Sequence, residues 1–188
     1  RIGATGLPSQ LRYNLPIETL FTVIPLILVV GFFAFTARDM TAIEAKVENP
    51  DVHIEVIAKQ WSWDFNYVDD NVFDSGIQAQ FTGKEENIFE TLPTLYLPVG
   101  KSIHIELNSR DVIHSFWVID FLYKKDMFPG HTNNMYFTPL KEGTYVGKCA
   151  ELCGEYHSMM LFNVKVVSQS EYDSRMGALA TQGNVGQL

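Results

Sequence analysis

One uninterrupted apolar run limits this chain more than any other feature: IETLFTVIPLILVVGFFAFT, from Ile17 to Thr36, whose sole charge is Glu18. A run of about 20 residues, rising about 1.5 Å per residue as a helix, spans the hydrocarbon core of a bilayer. It exceeds the roughly 7–15 residues of a signal-peptide apolar region, and no small-x-small cleavage site follows, so it reads as a transmembrane helix over 17–38. Pro25 would kink such a helix without ending it. Arg1 and Arg12 precede the run and Arg38 follows it, so flanking charge does not orient the span. Glu18, read locally, is a carboxylate favoured by the dipole at a helix N-terminus.

The remainder of the 188 residues suffices for one globular domain with a small appendage. A linker over 39–51 leads into a domain over 52–168, followed by a tail over 169–188. Its texture is that of short strands. In Val52, Ile54 and Val56 the apolar positions are even-numbered, and in Trp61, Trp63, Phe65 and Tyr67 they are odd-numbered. A bulge or bend across 57–60 is expected from that change of phase. Further strands are expected over Thr94–Leu97, Ser102–Leu107, His114–Ile119, Gly143–Cys149 and Met160–Val167, separated by turns bearing Pro, Gly and Asn. Regular short strands imply a mainly β sandwich or barrel. The polar stretch 69–90 reads as a long loop or weak hairpin, and the tail from Glu171 as a short helix with a loose end. A net charge of −8, from 22 acidic and 14 basic residues, argues against nucleic acid as a partner and suits a basic protein partner.

The chemistry concentrates in Cys149-Ala-Glu151-Leu-Cys153-Gly-Glu-Tyr-His157-Ser-Met-Met160, which brings two thiols, an imidazole and a thioether into twelve residues. Thiolate, imidazole and thioether together select copper over magnesium or calcium, and an axial Met beside His and Cys is a copper electron-transfer arrangement. Two cysteines, rather than one, point to a binuclear site with both thiolates bridging two coppers and one terminal imidazole for each metal. His157 supplies one imidazole, and His53, His104, His114 and His131 are the candidates for the other. His114 is best placed, because it opens a strand directly after the polar turn 108–111. The other three read as surface or strand histidines without a metal role. Alternatives stand beside this reading. The two cysteines, the only ones in the chain, could form a disulfide, although so small a loop gains little from closure. Cys, Cys, His and His could bind zinc, although zinc has no need of a thioether. Met160 shares its alternation with Phe162, Val164 and Val166, as a core methionine would.

Taken together these residues resemble subunit II of the haem–copper cytochrome c oxidases, over nearly the whole chain. The family's dicopper motif is matched at Cys149, Glu151, Cys153, His157 and Met160, with His114 in DVIHSFWV as the upstream ligand. The resemblance implies a cupredoxin-like Greek-key domain and a copper A centre. It also implies that Glu151 ligates one copper through its backbone carbonyl and offers its carboxylate to a magnesium shared with subunit I. KQWSWDFNY resembles the segment whose first tryptophan, here Trp61, receives electrons from cytochrome c, although alone it would read as a strand aromatic. LPIETLFTVIP resembles the family's second transmembrane helix. That likeness would put Glu18 at the mouth of a proton pathway on the inner face, with the β-domain outside a bacterial plasma membrane. Residues 1–16 would then be an inter-helix loop, with the first of the family's two helices missing from this chain. Arg110, where many members carry an acid, and the histidine of PGH131, where Pro-Gly-Arg is commoner, depart from the pattern.

The implied role is to pass single electrons from cytochrome c, or a c-type haem domain, to haem in subunit I, where oxygen is reduced to water and protons are translocated. Oxidase subunit I, the other oxidase subunits and membrane lipid are the expected partners. FLYKKDMFPGH and CAELCGEYH look more like bacterial, and especially actinobacterial, members than mitochondrial ones. A membrane-tethered copper carrier is the competing reading, and a disulfide-clipped envelope protein a third. The four carboxylates Asp64, Asp69, Asp70 and Asp74 are candidate contacts for a donor, or simply a solvated acidic loop.

Overall fold

A computed structural model describes residues 3, 5–6, 10–77 and 92–188. Arg1, part of the segment 1–16 and most of the polar stretch 69–90 lie outside the described residues. The chain divides into two compact units, residues 1–45 and 46–188.

The first unit is built on helix α1, Leu15–Ile43, which continues past the apolar run into the segment expected as linker. Asn14 caps it, its side chain accepting from the Ile17 N–H, and Pro16 occupies the first turn, where its missing donor costs nothing. The Glu18 carboxylate accepts from the Asn14 N–H at 2.9 Å, so the cap residue is held through its backbone as well as its side chain. The helix is apolar all round, with a mean hydropathy of 2.5 over its most apolar window, and none of that window is buried by protein. A helix of this kind has to find an apolar environment outside its own unit, which is what a bilayer supplies.

The second unit is a two-layer β structure. Strands β1 (Val52–Lys59), β2 (Ser62–Tyr67), β3 (Val72–Ser75), β4 (Thr94–Pro98), β5 (Ile103–Ser109), β6 (His114–Val118), β7 (Tyr123–Met127), β8 (Asn133–Phe137), β9 (Gly143–Cys149) and β10 (Leu161–Val167) precede helix α2 (Gln169–Thr181). They form two five-stranded sheets, ordered β3-β2-β1-β5-β8 and β4-β10-β9-β6-β7. Pairing is antiparallel except for β1 with β5 and β4 with β10. Alternation sends Ile54, Val56, Ile103, Ile105 and Leu107 from one sheet, and Val164, Phe162 and Phe116 from the other, into a shared core.

The change of phase between Val56 and Trp61 is a two-residue turn between paired strands, with Lys59 opposite Ser62. No bulge inside one strand is needed. Trp63, Phe65 and Tyr67 continue into the core, while Trp61 is left in the turn. Phe162 stacks on Phe116 at 4.9 Å, and Gly147 makes room for it: a Cβ there would lie 2.1 Å from the Phe162 ring. The described start of the polar stretch forms β3, which pairs with β2, and the expected loop or hairpin beyond residue 77 lies outside the described residues.

The C-terminal tail departs from expectation. Helix α2 buries Tyr172, Met176 and Leu179, and the chain end then docks, with the Asn184 carbonyl accepting from the Phe73 N–H and the Leu188 N–H donating to Asn66. The four candidate docking carboxylates are also engaged internally. Asp64 is fully buried against Lys59 and Ser75, Asp74 pairs with Arg175, Asp70 accepts from the Tyr172 hydroxyl, and Asp69 accepts from the His53 N–H.

Candidate metal centre

The cysteine-bearing segment is the loop of a hairpin. Strands β9 and β10 pair with Lys148 opposite Leu161, and the ladder extends one step further through the Cys149 N–H to the Met160 carbonyl, 3.0 Å. Cys149 and Met160 are therefore clamped at the base of the loop, and Glu151, Cys153 and His157 lie along it. Neighbouring β6 brings Phe116 opposite Cys149, so that His114, at the start of β6, reaches the same end of the sandwich. His157 begins a one-turn helix, His157–Met159, that folds the loop back.

The four side chains converge with the thioether. Cys149 Sγ and Cys153 Sγ are 3.7 Å apart, His114 Nδ1 lies 3.8 Å from Cys149 Sγ, and His157 Nδ1 lies 3.5 Å from Cys153 Sγ. Met160 Sδ is 3.8 Å from Cys153 Sγ, and the Glu151 carbonyl oxygen is 3.1 Å from Cys149 Sγ. Each thiol thus has its own imidazole, with the sulfur pair at the centre. His114, Cys149, Cys153 and Met160 are buried, and both cysteines are free thiols. The Glu151 side chain is exposed, so only its backbone belongs to the cluster. Zinc would use two thiolates and two imidazoles and leave the thioether idle, whereas a copper pair uses the whole set.

The surroundings order these groups. His114 Nε2 lies 2.8 Å from Asp111 Oδ1, which fixes the ring through the nitrogen facing away from the thiols. Asp111 also accepts from the Gln60 N–H through its other oxygen, joining the β1–β2 turn to the ligand strand. Burial opposes charge on His114, but Cys149 and Asp111 beside it hold its pKa above the ordinary value. Burial likewise works to raise Cys149, yet His114 and backbone contacts with Ser115 and Glu151 bring it down to about 6. Cys153, buried next to that thiolate, is pushed up to about 12. Without metal the site therefore prefers one thiolate and one thiol.

Trp61 touches the loop from outside. Its indole N–H donates to the Cys153 carbonyl at 3.1 Å, its ring meets Tyr156 edge-on at 5.0 Å, and the Gln60 side-chain amide donates to the same carbonyl at 2.8 Å. Gly154, at φ +121°, permits this approach, because a Cβ there would stand 3.0 Å from the indole. Spacing alone did not reveal Asp111 and Gln60 as supports of the site. The signal for Asp111 was its place three residues before His114 in the turn.

Glu18 belongs to the separate helical unit, where its described contact is the cap of α1. Of the histidines set aside, His131 is exposed beside Phe128. His53 and His104 lie together on the other sheet.

Comparison with known proteins agrees with these observations. The family model for cytochrome c oxidase subunit II, periplasmic domain, matches residues 52–167. The chain is 44% identical over 206 residues to a probable cytochrome c oxidase subunit 2 of Streptomyces coelicolor, covering 95% of this chain and 65% of that protein. It thus spans about two thirds of that relative's length. The crystal structure of the periplasmic domain of subunit II of cytochrome oxidase from Bradyrhizobium japonicum superposes with a TM-score of 0.61 at 28% identity, covering 73% of this chain and 99% of that one. Similar too, at a TM-score of 0.60 and 27% identity over 73% of this chain and 98% of the other, is a subunit II captured in a mixed disulfide with a thioredoxin-like protein.

Proposed function

Since the chain belongs to the cytochrome c oxidase subunit II family, we propose that it is the electron-receiving subunit of a respiratory haem–copper oxidase, taking electrons from cytochrome c and delivering them to haem in subunit I. One observation carries this reading: two free thiols 3.7 Å apart, each with its own imidazole, and a buried thioether against the second. That donor set fits a copper A pair held by His114, Cys149, Cys153, His157, Met160 and the Glu151 carbonyl. When bound, such a pair supplies reversible one-electron chemistry with its charge spread over two ions.

The chain's own residues do the rest. A sandwich whose ligands leave from a clamped hairpin and a neighbouring strand holds them in one geometry, which limits rearrangement as charge comes and goes. Asp111 keeps the His114 ring turned so that Nδ1 faces the sulfurs. Trp61, half-buried and hydrogen-bonded to the Cys153 carbonyl, is the entry for an electron from cytochrome c, since its indole gives a hydrogen-bonded route from the surface to a ligand residue. The exposed Glu151 carboxylate meets a magnesium shared with subunit I, and Glu18, in the capped first turn of α1, opens a proton pathway from the inner face. Helix α1 anchors the chain in a bacterial plasma membrane with the β-domain outside. Before metal arrives the cysteine pair has to stay reduced, and a thioredoxin-like partner of the kind captured on the relative fits that task.

The deciding experiment is metal analysis and electron paramagnetic resonance on the full chain loaded with copper. Two coppers per chain sharing a single unpaired electron are expected. One copper per chain, or two with independent spins, would leave the carrier reading in its place.

A further inference from the structure

A second group of metal-ligating side chains lies on the other sheet. In the parallel pairing of β1 with β5, His53 stands directly opposite His104, and Glu106 follows two residues later on the same face. Their neighbours Ile54, Ile103 and Ile105 point into the core, so the two histidines and Glu106 share the outer surface. One ligand atom from each of the three falls within 4.8 Å of the others.

We propose that His53, His104 and Glu106 form a binding site for a divalent transition-metal ion, best matched by Zn2+, separate from the thiolate site. Two imidazoles and one carboxylate make a borderline donor set that suits zinc and leaves the all-oxygen ions magnesium and calcium poorly served.

The surroundings favour a ligand here. His53 Nε2 is shielded from solvent and has no hydrogen-bond partner among the described residues, its 3.3 Å approach to Glu106 Oε1 falling outside hydrogen-bond geometry. Buried ring nitrogens are rarely left in that state. His104 Nε2 lies 2.7 Å from Asn134 Oδ1. Donating its proton to that oxygen leaves the lone pair on Nδ1, the outer-shell arrangement that accompanies a metal-bound imidazole. A cavity of about 410 Å³ opens beside the rings, and on its wall the two carboxylates of Glu48 and Asp69 outweigh the one ammonium of Lys46. His53 and His104 stack at 4.6 Å with only 8° between their planes. A lone pair lies in the plane of its ring, so binding turns at least one ring out of the stack, and the cavity gives it room to turn.

The test is titration of the full chain in detergent with Zn2+, in a C149S/C153S background that removes the thiolates. One equivalent should bind, raise the unfolding temperature, and be weakened by about 10-fold or more in H53Q and in H104Q, with H131Q unchanged. Absence of binding, or binding that H53Q and H104Q leave intact, overturns the site. Should either glutamine variant misfold, the unsubstituted chain answers the same question. There Zn2+ must protect His53 and His104 from diethyl pyrocarbonate in peptide mass spectrometry, and equal modification with and without the ion also overturns it.

Discussion

At the scale of single residues the site depends on groups that do not themselves offer a ligand. Asp111 is the acceptor for His114 Nε2, so Asp111→Asn should lower copper affinity by about 10–100-fold, read by competition with a chelator of known affinity. Gln60, whose backbone N–H also donates to Asp111, should respond less to side-chain change than Asp111 does. Trp61→Phe keeps an aromatic, though smaller, ring and deletes the N–H that reaches the Cys153 carbonyl. The expected outcome is unchanged copper content with cytochrome c oxidation by the assembled complex slowed about 10-fold, or 1.4 kcal/mol of barrier. Protonation gives a third expectation. Between the Cys149 value of about 6 and the Cys153 value of about 12 the empty site holds one thiolate and one thiol. Binding through both sulfurs then displaces the Cys153 proton, and below about 6 it displaces the Cys149 proton as well. Affinity should therefore rise with pH across the neutral range and fall more steeply in acid, and a flat profile would contradict the assignment. The same groups act on metal-free stability with opposite signs. Cys149, lowered in the fold from 9.0, stabilises at high pH and loses that contribution as pH falls towards 6. His114, raised in the fold, stabilises in acid and loses that contribution as pH rises through its folded value.

At the scale of elements, the β9–β10 hairpin is where packing and chemistry meet. Phe162 is fully buried on β10, two residues beyond Met160, and contacts Trp63, Phe65 and Phe116. Phe162→Ala should cost about 3–5 kcal/mol and loosen the loop base in the same step, so copper retention and unfolding temperature should fall together. Helix α2 carries a different lesson. Its sequence is weakly amphipathic and is followed by Gln182 and Gly183, yet it buries Tyr172, Met176 and Leu179 and ties β3 down through Arg175 and Asp74. Truncation after Ser168 should therefore destabilise the β unit by several kcal/mol, at about 1.5–3 kcal/mol for each large buried side chain exposed. Denaturant unfolding of the truncated and intact chains measures it.

At the scale of the whole molecule, the chain is two units with unlike surfaces. Residues 46–188 carry the entire core and every proposed copper ligand, whereas α1 has no buried residue at all. Residues 46–188 expressed alone should be water-soluble and bind copper as the full chain does, while the full chain should require detergent. A soluble full chain would remove the membrane span.

The sequence by itself settled what depends on local order. Twenty apolar residues make a helix long and apolar enough to cross a bilayer, period-two alternation makes strands with an inside and an outside, and a Cys-x3-Cys-x3-His-x2-Met loop carries most of the proposed ligands on one short segment. Sequence could nominate His114, because the ligand strand follows a recognisable turn. Only the tertiary structure decided the rest. Strands β7 and β8 lacked a clear alternation and are held by their neighbours' ladders. Alternation places Trp61 in a strand, whereas folding back puts it in the turn against Cys153. The tail reads as loose because its apolar groups are few, and packing against the β unit orders them. His53 and His104 lie some fifty residues apart in the chain, and no local pattern could bring them together. Parallel pairing of β1 with β5 did so, because long-range register is set by the core that both strands bury rather than by either strand alone.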